Sequence, residues 1–523
     1  MSGASDREAR MTGHPSFDQP EFDAERARQY LDPTSSDPLF QQVRRFLEQS
    51  LLEGRFRANR PLPSSRHLAG VLGVSRNTVN AAYQELVALG LVESRPRSGL
   101  YPIASPHPST PPPRATRAPA PPPATSGAVP THQVDWATRL PVPRDDDLQH
   151  AATHVEWTRY PFPFLPGQPE LGTFPARGWL RALNTALDGP HVAASIRDSV
   201  AGDDELLVES IRREILPPRG IQAAPEEIIV TAGAQQGLAL LAELLVEAGT
   251  PVAVENPGYV DAWHILRRAG ATLVPRAVDE QGVRRDDDFG EPPELVYVTP
   301  SHQHPTNVTL SYTRRAALLR DAQRHDQLVI EDDYDSEVRF RGRPTPSLKS
   351  LDRTGRVIYV GTFSKFVAPG IRLGFIVADR ALVAALRERR RYQTKHPPGH
   401  MQRALGLFID SGEYHRSLRQ HRRHLGRKWE AVVAALDEHL PFELPTPTAG
   451  GLSVWIDGPD AFDGTRVTEL ARERGVLVDA GERFYLGPGP RNQLRVGYNS
   501  IALEAIPRGI EILGKVIRSQ LDE

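Results

Sequence analysis

Residues 357–377, VIYVGTFSKFVAPGIRLGFIV, constrain the fold more than any other stretch of the chain. The two ends, Val357-Ile358-Tyr359-Val360 and Phe375-Ile376-Val377, are β-branched and aromatic runs that read as short buried strands. Between them lies a polar loop with one lysine, Lys365, hydroxyls at Thr362 and Ser364, a Pro369-Gly370 turn, and Arg372 seven residues beyond the lysine. A lone Ser-Lys pair is ordinary solvated surface, but apolar strands on both flanks argue against that here. The pattern suits a phosphorylated aldehyde. A deprotonated amine forms a Schiff base, while hydroxyls and a guanidinium hold a dianionic phosphate.

The loop resembles the cofactor-lysine segment of fold-type I enzymes that use pyridoxal 5'-phosphate (PLP), in the form TFSK…P..R.G. The resemblance implies Lys365 as the catalytic, internal-aldimine lysine, with Thr362, Ser364 and Arg372 as phosphate ligands. Seven residues from lysine to arginine, rather than eight, place it nearer the aminoadipate-type aminotransferases than the aspartate type.

At 523 residues the chain is expected to hold two or three domains. Its net charge of −2 excludes a uniformly basic nucleic-acid binder, so any such role must be local. There is no cysteine, which removes disulfides, thiol nucleophiles and cysteine-metal sites, and no metal site is expected. No apolar signal core or membrane-length run is present, so a cytoplasmic protein is expected. Residues 1–36 are polar with little periodicity and read as a disordered extension.

Residues 37–101 change character. PLFQQVRRFLEQSLLEG sets Leu39, Val43, Phe46, Leu47 and Leu51 at helical spacing and ends at Gly54. In LPSSRHLAGVLGVSRNTVNAAYQELVALGLVES, Ser64 or Ser65 caps a short helix and Gly73 makes the turn. Ser75 caps a second helix whose apolar face is Val79, Tyr83, Leu86 and Leu89. A two-stranded wing, LVESRPRSGLYP, follows. Arg76, Asn77 and Thr78 stand at the N-terminus of the second helix, where a recognition helix meets the major groove of double-stranded DNA. Arg95 and Arg97 stand at the wing tip, suited to phosphate or minor-groove contact. The module carries nine arginines, no lysine and five acids, so its charge is +4. It resembles the GntR-type winged helix-turn-helix, LPSSR.LA..LGVSRNTV..AY..L...G, which implies Arg66, Arg76, Thr78, Arg95 and Gly99 as DNA-facing residues, and Ser75, Asn77 and Arg97 join them as expected DNA-binding residues.

Residues 102–135 read as a linker. Between Pro102 and Pro130 there are 11 prolines in 29 residues, which form no packed core and reach about 90 Å when extended. Residues 136–523 alternate strands with helices, predicting an α/β domain with a mostly parallel sheet. A smaller C-terminal α+β part begins near Leu405.

Four further segments resemble fold-type I sites. TAGAQQG opens a helix whose backbone N–H groups, at Ala234 and Gln235, would bind the phosphate. ENPGYVD supplies Tyr259 as the ring-stacking aromatic. VIEDDYDSE supplies Asp332 for the pyridine nitrogen and Tyr334 for the phenolic oxygen, with Glu331 and Asp333 turned away by strand alternation. NQLRVGYNS supplies Arg495 for an α-carboxylate. An arginine inside an otherwise apolar cleft needs an anionic partner. With the phosphate already claimed, that reasoning points to an amino-acid effector.

Winged helix, linker and aminotransferase-like domain together resemble the MocR family of bacterial transcriptional regulators, across about residues 37–520. The resemblance implies a homodimeric, PLP-dependent regulator responding to an amino compound or to PLP, with residual or no transaminase activity. The alternative is a working aminotransferase with an appended DNA module. Two departures stand out. SHQHPTN replaces the family's SHQYPTG, putting His304 beside the cofactor oxygen and Asn307 in a glycine's place. RDSVAG puts Arg197 where related enzymes carry a tyrosine that reaches the partner subunit's phosphate.

Overall fold

A computed structural model describes residues 31–32, 35, 37–53, 55–56, 60–95, 98–103, 134–139, 156–199, 201–285, 292–335, 337–340, 345–365, 367–445 and 447–523. The chain divides into two compact units, Met1–Val134 and Asp135–Glu523. Most of the expected N-terminal extension and linker, together with Gly54 and Arg97, lies outside the described residues.

In the first unit, α1 (Leu39–Leu52), α2 (Ser65–Leu72) and α3 (Arg76–Ala88) precede the antiparallel pair β1 (Val92–Arg95) and β2 (Gly99–Pro102). Ser64 caps α2 by accepting from the His67 amide, and Ser75 caps α3 by accepting from the Thr78 amide. Gly73, at φ 70°, provides the left-handed turn between the two helices. Val43, Phe46 and Leu47 meet Leu68, Leu72, Val79, Tyr83 and Leu86 in one core. Two apolar positions depart from the periodic reading. Leu39 is 44% exposed and Leu89 54%, because each sits at a helix end where the chain leaves the core.

The second unit is built on one eight-stranded sheet. Its strands are β3 (Ile228–Thr231), β4 (Pro251–Asn256), β5 (Thr272–Asp279), β6 (Gly282–Val283), β7 (Leu295–Val298), β8 (Leu328–Asp333), β9 (Val357–Thr362) and β10 (Gly374–Val377). The order is β3-β10-β9-β8-β7-β4-β5-β6, parallel from β9 across to β5. β10 is antiparallel to both β9 and β3. Every residue of β9 is buried, as its unbroken apolar run requires of a strand covered on both faces. On one face Ile358, Val360 and Ile376 pack with α4 (Ala234–Leu245) and α5 (Val260–Ala269). On the other, Tyr359, Phe375 and Val377 pack with Phe363 and Leu405.

A smaller layer holds α6 (Glu413–His439), α7 (Gly464–Glu473), α8 (Ile506–Asp522) and an antiparallel sheet. That sheet comprises β11 (Ser453–Asp457), β12 (Asp479–Ala480) and β13 (Gln493–Gly497), in the order β11-β13-β12. This layer is not only the C-terminal segment. Phe162–Pro163 pairs with Val476–Leu477, and Phe164 lies inside the same core. The chain leading into the large sheet thus adds a separate two-stranded pair and Phe164 to the smaller layer.

Candidate functional site

The carboxyl ends of the parallel strands open onto a cavity of about 480 Å³, the place where open α/β sheets bind ligands. Lys365, Asp332, Tyr334, Tyr259, Ala234, Gln235, Thr362, Ser364, Arg372, His304 and Arg495 all line it. These side chains come from segments spread over more than 250 residues of sequence, and the sheet gathers them.

Asp332 lies near the end of β8 and is 3% exposed. Its Oδ2 accepts from the Tyr297 hydroxyl at 2.7 Å, while Oδ1 is buried with no hydrogen-bond partner among the described residues. Burial pushes the carboxyl up to about 7, against the hydrogen bond from Tyr297 and the charge of Lys365. An ionised Asp332 needs a second donor, and a protonated ring nitrogen is such a donor. Its neighbours do point away. Glu331 accepts from the Leu348 and Lys349 amides, and Asp333 accepts from Arg219 and Tyr359. Burial also lowers the Lys365 ammonium below its usual range, opposed by the carboxylates of Asp335 and Asp332. That favours the free-base amine that attacks a carbonyl.

An anion cradle lines the same cavity. Helix α4 starts at Gly233, which has φ 84° and offers no side-chain cap, so its first amides are free to bind an anion. A Cβ on Gly233 would meet Arg372 Nη2 at 3.1 Å, so the guanidinium lies directly against the helix start. Beneath it, a Cβ on Gly374 would meet Gly361 O at 2.8 Å and Ala234 N at 3.0 Å. The close approach of strand and helix therefore depends on glycine. The Thr362 and Ser364 hydroxyls line the same region. Charge, donors and shape fit a phosphate.

At the opposite wall the structure corrects the expectation for Arg495. The anion that keeps this guanidinium in the cleft comes from the chain itself. Asp479, directly opposite Arg495 in the β12–β13 register, accepts from its Nε at 3.2 Å and Nη2 at 2.8 Å. Arg495 Nη1 donates to His304 Nε2 at 2.8 Å, and the guanidinium stacks 4.3 Å from the centre of the Phe484 ring. Arg495 is therefore not an unpaired charge, although its remaining N–H groups still line the cavity.

The surroundings of His304 favour its neutral form. Burial first, then the Arg495 and Lys365 charges, lower its pKa well below the ordinary range. Because Nε2 accepts from Arg495, we assign the proton to Nδ1. Its ring meets Tyr259 edge-on at 5.2 Å and Tyr334 at 6.1 Å, so one imidazole joins three of the expected residues. Asn307, at φ 61°, adopts the backbone a glycine would, and its amide donates to the Ser453 carbonyl on β11. Arg197 is exposed and does not line this cavity.

On the first unit, Arg66, Arg76 and Asn77 are exposed on α2 and at the start of α3. Arg76 Nε donates to Ser65 Oγ at 3.3 Å, and Thr78 pairs with the capping Ser75 hydroxyl at 2.8 Å. Arg95 pairs with Glu93 at 2.7 Å and stacks on Tyr101 at 4.3 Å. Gly99, at φ 110°, closes the wing where a Cβ would touch Pro61 at 3.4 Å.

Sequence reasoning missed Asp479, Tyr297 and the Leu165–Gln168 segment, which also lines the cavity. Asp479 is a lone acid after an apolar run, and only strand register brings it to Arg495.

The sequence model for "Bacterial regulatory proteins, gntR family" matches residues 39–101, and that for "Aminotransferase class I and II" matches residues 203–513. The HTH-type transcriptional regulator TauR of Rhodobacter capsulatus is 38% identical over 491 residues, 94% of this chain and 98% of that protein. The probable rhizopine catabolism regulatory protein MocR of Rhizobium meliloti is 33% identical over 484 residues, 92% of this chain and 94% of that protein. The crystal structure of the α-aminoadipate aminotransferase LysN from Thermus thermophilus superposes with a TM-score of 0.66 at 28% identity, covering 74% of this chain and all of that one.

Proposed function

The chain belongs to the MocR-type GntR regulators, an HTH domain joined to an aminotransferase class I and II domain, and from that premise we propose how its two units sense and respond. The second unit holds PLP in the described cavity, and the first reads promoter DNA. When bound, PLP supplies an aldehyde carbon that an amine captures and a ring that withdraws electrons from it. Lys365 contributes that amine. Asp332 Oδ1 would accept from the ring nitrogen, and Tyr334, His304 and Tyr259 would bind and orient the ring. Thr362, Ser364, Arg372 and the Ala234 and Gln235 amides would hold the phosphate.

An amino compound bound beside Lys365 would place its acid group on the N–H groups of Arg495 left over from Asp479 and His304. The resulting change in the second unit alters operator binding through Arg66, Ser75, Arg76, Asn77, Thr78, Arg95, Arg97 and Gly99. We assign the working form to a cytoplasmic homodimer. Ile196 is 70% exposed and Tyr392 81%, and both flank the segment joined by contacts from Lys395 and His396 to Asp198. Arg197 lies in that segment, which suits a second copy.

The carrying observation is the unpaired, buried Asp332 oxygen sharing a cavity with the lysine amine. Protein reconstituted with PLP is expected to show a visible absorbance band that Lys365→Ala abolishes. No band in the wild type would overturn the cofactor assignment. Amino compounds that shift the band are expected to change operator affinity at stoichiometric occupancy, without sustained transamination.

A further inference from the structure

Helix α6 carries a positive stripe on its outer face. Arg419, Arg423 and Arg427 recur every four residues and are exposed, while Leu425 and Val432 on the opposite side are buried in the small-layer core. The stripe borders an open groove of about 790 Å³, also lined by Arg339, Trp429 and one acid, Glu430. Among the described residues Arg419 and Arg423 have no carboxylate partner, and Arg427 meets the His424 ring at 3.5 Å. Three like charges in a row on a rigid helix repel one another and add nothing to the stability of the fold. A polyanion would reverse that sign.

We infer that this groove is a second nucleic-acid contact, binding the phosphate backbone of duplex DNA that flanks the operator. The inference rests on the regulator reading, because DNA is then the polyanion this chain meets in its work. The stripe spans about 12 Å at 1.5 Å per residue. Duplex DNA carries one charge per 1.7 Å of axis, or about seven over that length, so three guanidiniums find phosphates without a sequence requirement. Trp429 and Arg339 shape the groove wall, and guanidiniums suit phosphate by their planar donor geometry. Guanidiniums on phosphates carry no sequence information, so the contact adds affinity and not specificity.

The test compares full-length, PLP-loaded protein on two duplexes, a minimal operator and the same operator with about 30 bp of flanking DNA. At 3.4 Å per base pair the flank spans about 100 Å, far longer than the stripe. Wild type is expected to bind the longer duplex more tightly and with a steeper dependence on salt. The Arg419→Gln, Arg423→Gln, Arg427→Gln triple variant is expected to lose that gain, with a slope shallower by about 2.7 and affinity lower by about tenfold. Its binding to the minimal operator stays unchanged. The matching triple Arg→Lys variant keeps the charge and restores the gain, which a structural role for the guanidiniums would not allow.

If wild type gains nothing from the flank, or the Gln variant keeps the gain, the inference fails while the operator reading stands. An equal loss on both duplexes means the groove holds an acidic protein segment, and the inference fails. If wild type binds neither duplex, the regulator reading itself has failed.

Discussion

Arg495 and Asp479 face each other across adjacent antiparallel strands, with Nη2 2.8 Å from the carboxylate oxygen. The cavity therefore already contains a carboxylate where an amino-acid ligand would bring its own. Any ligand acid must share the guanidinium with Asp479, using the N–H groups that point into the cavity.

Asp479→Asn separates these contributions. Removing one member of a buried ion pair costs about 3–5 kcal/mol, and less where a cavity admits water. The ligand-free variant is expected to melt below wild type. An acidic amino compound is then expected to raise its Tm by more than it raises that of wild type. Equal ligand-free melting temperatures, measured by differential scanning fluorimetry, would show that Asp479 does not hold Arg495.

Asp332 gives a pH test. Its pKa is raised to about 7 by burial, above the unfolded value, so between about pH 4 and 7 the folded apoprotein binds more protons than the unfolded chain. This group therefore lowers apoprotein stability as pH rises through that window, by a total on the order of 4 kcal/mol. A ring N–H bound to Oδ1 favours the ionised form and offsets the loss. The Tm gain on adding PLP is expected to grow from pH 5 to pH 8, and Asp332→Asn is expected to remove that growth. A gain independent of pH in wild type would separate Asp332 from the cofactor.

Gly374 tests the anion cradle from below. The three atoms nearest a Cβ there are all backbone, Gly361 O at 2.8 Å, Gly233 C at 2.9 Å and Ala234 N at 3.0 Å, so relief requires the main chain to move. Gly374→Ala is expected to push the start of α4 outward, costing about 1–3 kcal/mol and most of the PLP affinity. Chemical denaturation and a PLP titration followed by absorbance measure both. Unchanged PLP affinity would mean that α4 does not hold the phosphate.

On the first unit, Arg76 and Arg66 are expected to behave differently. Arg76→Ala should weaken operator binding by about 1–3 kcal/mol and relax preference at one base position. Arg66→Ala, on the helix that crosses the backbone, should weaken all sequences alike and flatten the salt slope by about 0.9. Binding measured against a set of mutated operators distinguishes the two patterns.

Much of this protein was legible in the chain because its signals are local. The Ser64 and Ser75 caps, the Gly73 turn and the apolar face from Val79 to Leu86 are helix-period features, and they formed as read. The strands around Lys365 and the alternation that turns Asp332 into the cavity follow from a period of two. Other features were set by register between distant strands and by which helix ends meet solvent. Leu39 and Leu89 fit the helical period yet lie outside the core. Residues 162–164 join a layer built more than 300 positions later. Asp479 neutralises Arg495 because β12 and β13 pair in one register, and a one-residue slip would turn that carboxylate to the other face. Sequence alone singled out most of the residues that line the cavity around Lys365. Tertiary structure decided which charges reach a ligand unpaired, because pairing depends on distances that close only when separate strands meet.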